Sequence, residues 1–322
     1  MILISPTPNI KEFTTAMNDI NTVLAALLCT KLGADKEHKA VSPANWHKLM
    51  RSLYRKGIEN PSALLHMDEA MLKNIDGIDG RLCKSVVSLC KSYDNAAASM
   101  EKLNADGIYA IGMDSEYYPE RIVKAREKDA PPIFYIYGNK ELLKGRMISV
   151  TGARNPQSES ENFARRCGIA IADNNYTLVS GGAIGCDTIA QNAASGCGGS
   201  CVIFPAAPMY MTLKNQKFRH LCQSGRMCLV SDVNPYFDYS KGAVLRRNKY
   251  IYICSDASFV CESGNGVGGT YRGALEYLQN GGNNVYVFKN DKLLGNRLLC
   301  ENGAANCEID EISRKISDII GK

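Results

Sequence analysis

The sequence predicts an α/β fold, a parallel sheet with helices on both faces, preceded by a small helical domain. Three observations lead there. From Arg146 onward, short apolar runs of strand length alternate with helical stretches. Glycine-rich turns directly follow several of those runs. The first hundred residues show no such alternation and space their apolar side chains as helices do.

In order, Thr22–Leu32 is apolar up to Gly33, and Ser42-Pro43 opens a second helix carrying Trp46, Leu49, Met50 and Leu53. A third segment runs through Leu64, Leu65, Met71 and Leu72. Ile75 to Gly80 then forms a glycine-containing turn before amphipathic Leu82–Leu89. Helix, glycine turn, helix is the outline of a SAM- or helix-hairpin-helix-like domain over residues 1–105. Two aspartates in its turn oppose a phosphate contact, so a structural hairpin is expected. Lys102–Tyr109 and Asp114–Pro119 are expected to be connecting segments, and Ile133–Tyr137 a strand ended by Gly138-Asn139.

A Rossmann-like domain is expected over 106–322. Its strands are expected at Met147–Val150, Thr177–Val179, Ser200–Phe204, Cys228–Val230, Ser258–Cys261 and Asn284–Phe288. Helices are expected at Phe163–Ala172, Thr188–Ala194, Lys217–Cys222, Tyr271–Gln279 and Ile309–Ile320. Ligands of such sheets bind at the strand carboxyl ends, near the point where strand order reverses.

Composition narrows the function classes. Lys+Arg 38 against Asp+Glu 33 gives a net charge of +5, which permits a polyanionic partner without demanding one. The 13 cysteines are scattered through apolar segments, and Met1–Ile10 has no basic stretch leading into an apolar run. Reduced, buried thiols in a cytoplasmic protein are therefore expected. Cys197 and Cys201 lack a second pair or a neighbouring histidine, so no zinc site is expected. No apolar run is long enough to span a membrane.

Four motifs carry chemistry. Ser149–Pro156 follows a strand, and its Gly152 permits close approach of an anion to the backbone while Arg154 adds a permanent charge. Leu178–Asp187 places Ser180, Gly181, Gly182 and Gly185 in an anion-cradling turn, with Asp187 able to cap backbone donors. It matches neither a P-loop nor the spaced glycines of dinucleotide binders. Leu245–Lys249 presents Arg246, Arg247, Asn248 and Lys249 on the edge of the same sheet, fit to contact a sugar-phosphate backbone. Glu262–Thr270 follows the strand Phe259–Cys261, and its glycines with Thr270 suit a loop built around a ligand.

In this order the motifs resemble the DprA/Smf family of DNA-processing proteins. Leu103–Ile108, Asp114–Pro119, Pro131–Gly138 and Gly295–Leu299 extend the resemblance beyond the core. It implies a protein that binds and protects single-stranded DNA, assists loading of the RecA recombinase, and forms a homodimer through the Rossmann-like domain, without cofactor or catalysis. By position it implies phosphate contacts from Gly152, Arg154, Ser180, Gly181, Gly182, Gly185, Arg246, Arg247 and Asn248, with Gly269 and Thr270 on the rim. Met209–Asn215 departs from the family's Tyr-Pro-x-x-Asn, leaving Lys214 as its cation, and Ile184 stands where an arginine is usual. No winged-helix module of the kind many members add is read in the sequence.

Two other readings compete. LOG-type phosphoribohydrolases carry a glutamate after a Gly-Thr turn, whereas Thr270 precedes Tyr271-Arg272-Gly273 and Glu276 lies one helical turn further on. A sensor of a free nucleotide-derived ligand would use the same turns. The stripe Arg154, Arg165, Arg166, Arg246, Arg247 and Lys249 exceeds what one small ligand needs and favours DNA.

Overall fold

The computed structural model describes residues 19–34, 39–126, 128–237 and 240–320. The opening Met1–Ile10 lies outside them. Contacts divide the chain into two compact units, one of residues up to 118 with 126–136, the other of 119–125 with 137–322.

The first unit is built around helix α1 (Ile20–Thr30), which is buried on all sides from Val23 to Leu28. Asp19 caps it by accepting from the backbone N–H groups of Asn21 and Thr22. Its last residue, Thr30, donates to the Ala26 carbonyl at 2.7 Å and shares a hydrogen bond with the buried Tyr135 hydroxyl. Helix α2 (Pro43–Arg55) starts as its sequence predicts, with Ser42 as cap and Pro43 in the first turn. The segment through Leu64 and Leu72 is two elements rather than one. A 3-10 turn (Pro61–His66) is capped by Asn60 and a short α3 (Glu69–Lys73) by Asp68, so two side-chain caps split the apolar run.

Helix α4 (Gly80–Cys90) completes the hairpin. Gly77 holds φ +87° in its turn, and Asp79 accepts from the N–H groups of Arg81 and Leu82. Helix α5 (Tyr93–Ala105) and strand β1 (Ile108–Gly112) occupy the stretch expected to be a connector from Lys102. Strand β1 is buried at four of its five residues, a short apolar run without alternation that reads as loop when taken alone. Strand β2 (Ile133–Gly138) follows at the boundary of the two units.

The second unit begins with α6 (Glu120–Ala125) and carries seven strands that pair in parallel. Its strands are β3 (Met147–Thr151), β4 (Thr177–Ser180), β5 (Cys201–Ile203), β6 (Met227–Ser231), β7 (Ala257–Val260), β8 (Val285–Phe288) and β9 (Ala305–Cys307). Every residue of β3, β4, β6 and β7 is buried, as helix-covered parallel strands require. The polar exceptions at the centre satisfy each other: Ser149 Oγ donates to Ser258 Oγ at 2.7 Å across the β3–β7 pair.

Interleaved are α7 (Ser158–Asp173), α8 (Cys186–Gly196), α9 (Met209–Thr212), α10 (Gln216–Gln223), α11 (Lys241–Ile253), α12 (Gly268–Gln279), α13 (Leu294–Glu301) and α14 (Ile312–Ile320). Strand order is β6-β5-β4-β3-β7-β8-β9. The chain runs outward from β3 to β6, then returns to the other side of β3 for β7. The switch of direction therefore falls beside β3, and the turns leaving β3, β4 and β7 meet at one edge.

One expectation is corrected. Leu245–Lys249 is not on a sheet edge but within helix α11, where Ser240 caps by accepting from Ala243 N–H at 3.1 Å. Ala243, Arg247, Tyr250, Ile251 and Cys254 are buried, which is helical and not strand spacing. No helix among the described residues is long and apolar enough to cross a membrane. All 13 cysteines are free thiols, and nine of them are buried.

Candidate functional site

A cleft of about 680 Å³ opens where the β3, β4 and β7 turns meet. Its walls come from Thr151–Arg154, Ala183 and Asp187, from Val244, Leu245, Arg247, Asn248, Ile251 and Tyr252 on α11, and from Glu262, Gly264, Val267–Thr270 and Arg272. Of the residues singled out in the sequence, Gly152, Arg154, Arg247, Asn248, Gly269 and Thr270 reach its surface.

The β4 turn, Gly181 to Gly185, is folded on itself. Buried Asp187 in the first turn of α8 does not cap that helix but reaches back, accepting from Gly181 N–H at 3.0 Å and Ala183 N–H at 3.3 Å. Gly182 N–H donates to Ser180 Oγ at 3.3 Å, and Gln191 donates to the same hydroxyl. Arg247 lies flat on Gly181: a Cβ there would sit 2.1 Å from its Nη1, and its Nη2 donates to the Gly181 carbonyl at 3.2 Å. Gly185 holds φ +96° against the carbonyls of Ala153 and Arg154, where any Cβ would lie 2.2 Å from the first. Ser180, Gly181, Gly182 and Gly185 thus back the cleft, and Asp187 takes two of the donors expected to face an anion. Burial pushes the Asp187 carboxyl up to about 6, against the pull of Arg247 and the surrounding N–H groups.

The β7 turn is built differently. It is pinned at its ends: Ser263 N–H and Oγ both donate to buried Asn296 Oδ1 at 3.0 Å, and Thr270 Oγ1 donates to the Gly152 carbonyl at 3.2 Å. Tyr252 reinforces the second anchor, donating to the Thr270 carbonyl and sharing a hydrogen bond with Thr151. Between the anchors Gly264 to Gly268 is exposed, and α12 begins without a side-chain cap. Its first residues, Gly268, Gly269 and Thr270, line the cleft together with exposed Arg154 and Arg272. A helix start leaves its first N–H groups without partners in the helix.

Five predicted cations stand elsewhere. Arg246 is paired with buried Asp232, which also accepts from the Tyr250 hydroxyl at 2.8 Å. Burial works against its charge, but the Asp232 carboxylate overrides that and raises its pKa. Lys249 pairs with Glu276, the carboxylate that a LOG-type reading would need. Lys214 is exposed in the α9–α10 turn, away from the cleft lining, and Arg165 and Arg166 are exposed on α7. Sequence reasoning missed Arg272 as a cleft residue, although it falls four residues into α12 from Gly268. It also missed Glu262, which accepts from Gln157 N–H at 3.0 Å, and Asn296. Asn296 closes its set by donating to the carbonyls of Cys261 and Phe288. Among the described residues no cluster of metal-ligating side chains occurs.

The family model for DNA recombination-mediator protein A matches residues 109–317. The chain belongs to that family. Two solved structures of the family share its fold. DNA processing protein A from Streptococcus pneumoniae is 18% identical, with a TM-score of 0.65 over 86% of this chain and 98% of that one. DNA processing protein A from Helicobacter pylori, described for its single-stranded DNA binding mode, is 22% identical, with a TM-score of 0.55 over 66% of this chain and 96% of that one. A comparison with curated proteins returned no match. The match of this recombination-mediator family extends upstream of β3 and takes in β2 and all but the first residue of β1, in line with the resemblance read at Asp114–Pro119 and Pro131–Gly138.

Proposed function

We propose that this chain binds single-stranded DNA through its sugar-phosphate backbone, at the carboxyl edge of the sheet, with little preference for sequence. The uncapped start of α12, which lines the cleft together with exposed Arg154 and Arg272, carries this reading. A helix N-terminus offers oriented N–H donors and a partial positive charge, and two guanidinium groups beside it supply phosphate-matched donors. Family membership supports the same ligand, since its H. pylori member is described as a single-stranded DNA binder. Shielding of the strand, delivery to RecA and self-association through the Rossmann-like unit belong to this proposal and rest on the family alone.

Arg247 is a poor probe of DNA binding, because its loss would also release Gly181 and strand Asp187. The test is fluorescence anisotropy of labelled poly-dT at low and moderate salt, comparing the wild type with Arg154→Ala and Arg272→Ala. Salt-sensitive binding is expected, and each substitution, by removing one phosphate-neutralising charge, should lower the salt slope by about 1. Absence of binding at low salt would overturn the proposal. One observation favours a second ligand class: the cleft's volume and apolar walls (Val244, Leu245, Ile251, Val267) also suit a nucleotide-sized molecule. Competition by mononucleotides against poly-dT separates the two.

A further inference from the structure

The first unit carries a groove of its own. About 660 Å³ in volume, it opens between the last two turns of α2 and the segment 58–61 that follows. Met50 and Ile58 form apolar walls, Arg51 and Arg55 stand exposed beside them, and Glu59 is the one carboxylate of the lining. Tyr54 lines the same groove and is 69% exposed. Among the described residues the side chains of Arg51, Tyr54 and Arg55 have no hydrogen bond, ion pair or ring contact. A charged helix face is usually a solvated mix of both signs, yet α2 has no acidic residue at all, in a chain whose charges nearly balance. Cations in a last helical turn answer the helix dipole, which accounts for Arg55 and for Lys56 after it. That dipole asks neither for Arg51 nor for an open aromatic ring beside it.

We propose that this groove is a second single-strand site, in which Tyr54 stacks on a base while Arg51, Arg55 and Lys56 hold the flanking phosphates. It takes its ligand class from the proposed single-strand reading, but its place and its test are independent of the cleft. A single strand presents base faces that a duplex hides within its own stack, and base–aromatic contact tolerates any sequence. Guanidinium groups match phosphate oxygens two at a time and stay charged. Arg51 and Arg55 are about 6 Å apart along the helix axis, at 1.5 Å per residue, and Tyr54 falls between them in height. Lys48, further back on the helix, turns instead to the hairpin, where its Cε lies 3.9 Å from the place a Cβ on Gly77 would take. An acidic peptide would also answer the cations, but it makes no use of a flat ring exposed between two guanidinium groups.

The test is photocrosslinking of the full chain to iodouracil-substituted oligo-dT, with the joined peptides mapped by mass spectrometry. A crosslink at Tyr54 is expected. Anisotropy with oligo-dT is then measured in the Arg154→Ala, Arg272→Ala double variant, whose remaining binding should fall about tenfold on adding Tyr54→Ala, within the range of one base–aromatic stack. Tyr54→Phe should keep that binding, and Arg51→Glu with Arg55→Glu should abolish it. Crosslinks confined to the second unit, no binding left in the double variant, or a Tyr54→Ala variant that binds as its parent does each overturn the groove site and leave the cleft standing. Poly-glutamate that binds the wild type but not the Arg51→Glu, Arg55→Glu variant, where oligo-dT makes no such distinction, overturns it in favour of an acidic peptide. Crosslinks confined to Tyr54 keep the groove site and overturn the cleft. Absence of wild-type binding overturns both.

Discussion

The β4 and β7 turns face each other across one cleft, and both are rich in glycine, yet they are built on opposite plans. In the β4 turn the glycines serve the protein: Gly181 makes room for Arg247, and Gly185 for the Ala153 and Arg154 carbonyls. Its N–H donors end on Asp187 and Ser180. In the β7 turn the glycines from Gly264 to Gly268 stay exposed, the anchors sit at the two ends, and the helix that follows has no cap. Similar composition thus yields a braced wall on one side and an open donor set on the other. What decides is the partner each turn meets, nearby Asp187 and distant Arg247 for the first, and distant Asn296 for the second.

The comparison breaks most sharply at Arg247. Arg247→Ala leaves buried Asp187 without its compensating charge, and removing one partner of such a pair costs about 3–5 kcal/mol. Chemical denaturation should show that loss, whereas Arg272→Ala in the open wall should change stability by less than about 0.5 kcal/mol.

Asp187 makes the braced wall sensitive to pH. Its folded value, about 6, lies above the ordinary 3.8, so the folded state holds a proton in a range where the unfolded chain does not. The stability this contributes is present below about pH 4 and is lost as pH rises through 6, by up to about 3 kcal/mol. Unfolding free energies of the wild type minus Asp187→Asn should fall across that window and then level off. A difference that rises, or stays flat, would contradict the placement of this carboxyl.

Glycine substitutions sharpen the contrast further. Gly185→Ala meets a carbonyl at 2.2 Å in a left-handed conformation and should cost more than about 2 kcal/mol. Gly268→Ala has the same kind of φ, +91°, but nothing within 4 Å, so only the backbone term of about 1 kcal/mol is expected. Paired thermal melts of the two variants give this ordering directly. The smallest effect on stability and the clearest on binding belongs to Arg154→Ala. An exposed arginine at the cleft mouth should leave the fold unchanged and weaken oligo-dT binding by about tenfold at moderate salt.

Much of this was legible in the sequence. The strands Met147–Val150, Thr177–Val179 and Ser258–Cys261 fall within a residue of the observed ones, because helix-covered parallel strands are continuous apolar runs bounded by turns. The cleft follows from the glycine turns behind them. The use of the cations was not legible. Arg246, Arg247 and Lys249 look alike in the sequence, but Asp232 and Glu276 engage two of them and Gly181 holds the third. These partners are brought in by the sheet, and local spacing carries no trace of them. Strand β1 reads as connector for a different reason: it is a short apolar run with no alternation to separate it from a loop.

The most direct test of the central claim is backbone amide hydrogen exchange of the full chain with and without oligo-dT. Binding at the open wall predicts slowed exchange at Ala153–Arg154 and across Gly266–Arg272, with Gly181 and Ala183 unchanged because Asp187 already holds their N–H groups. Protection confined to the α3–α4 hairpin, with none at the start of α12, would contradict it.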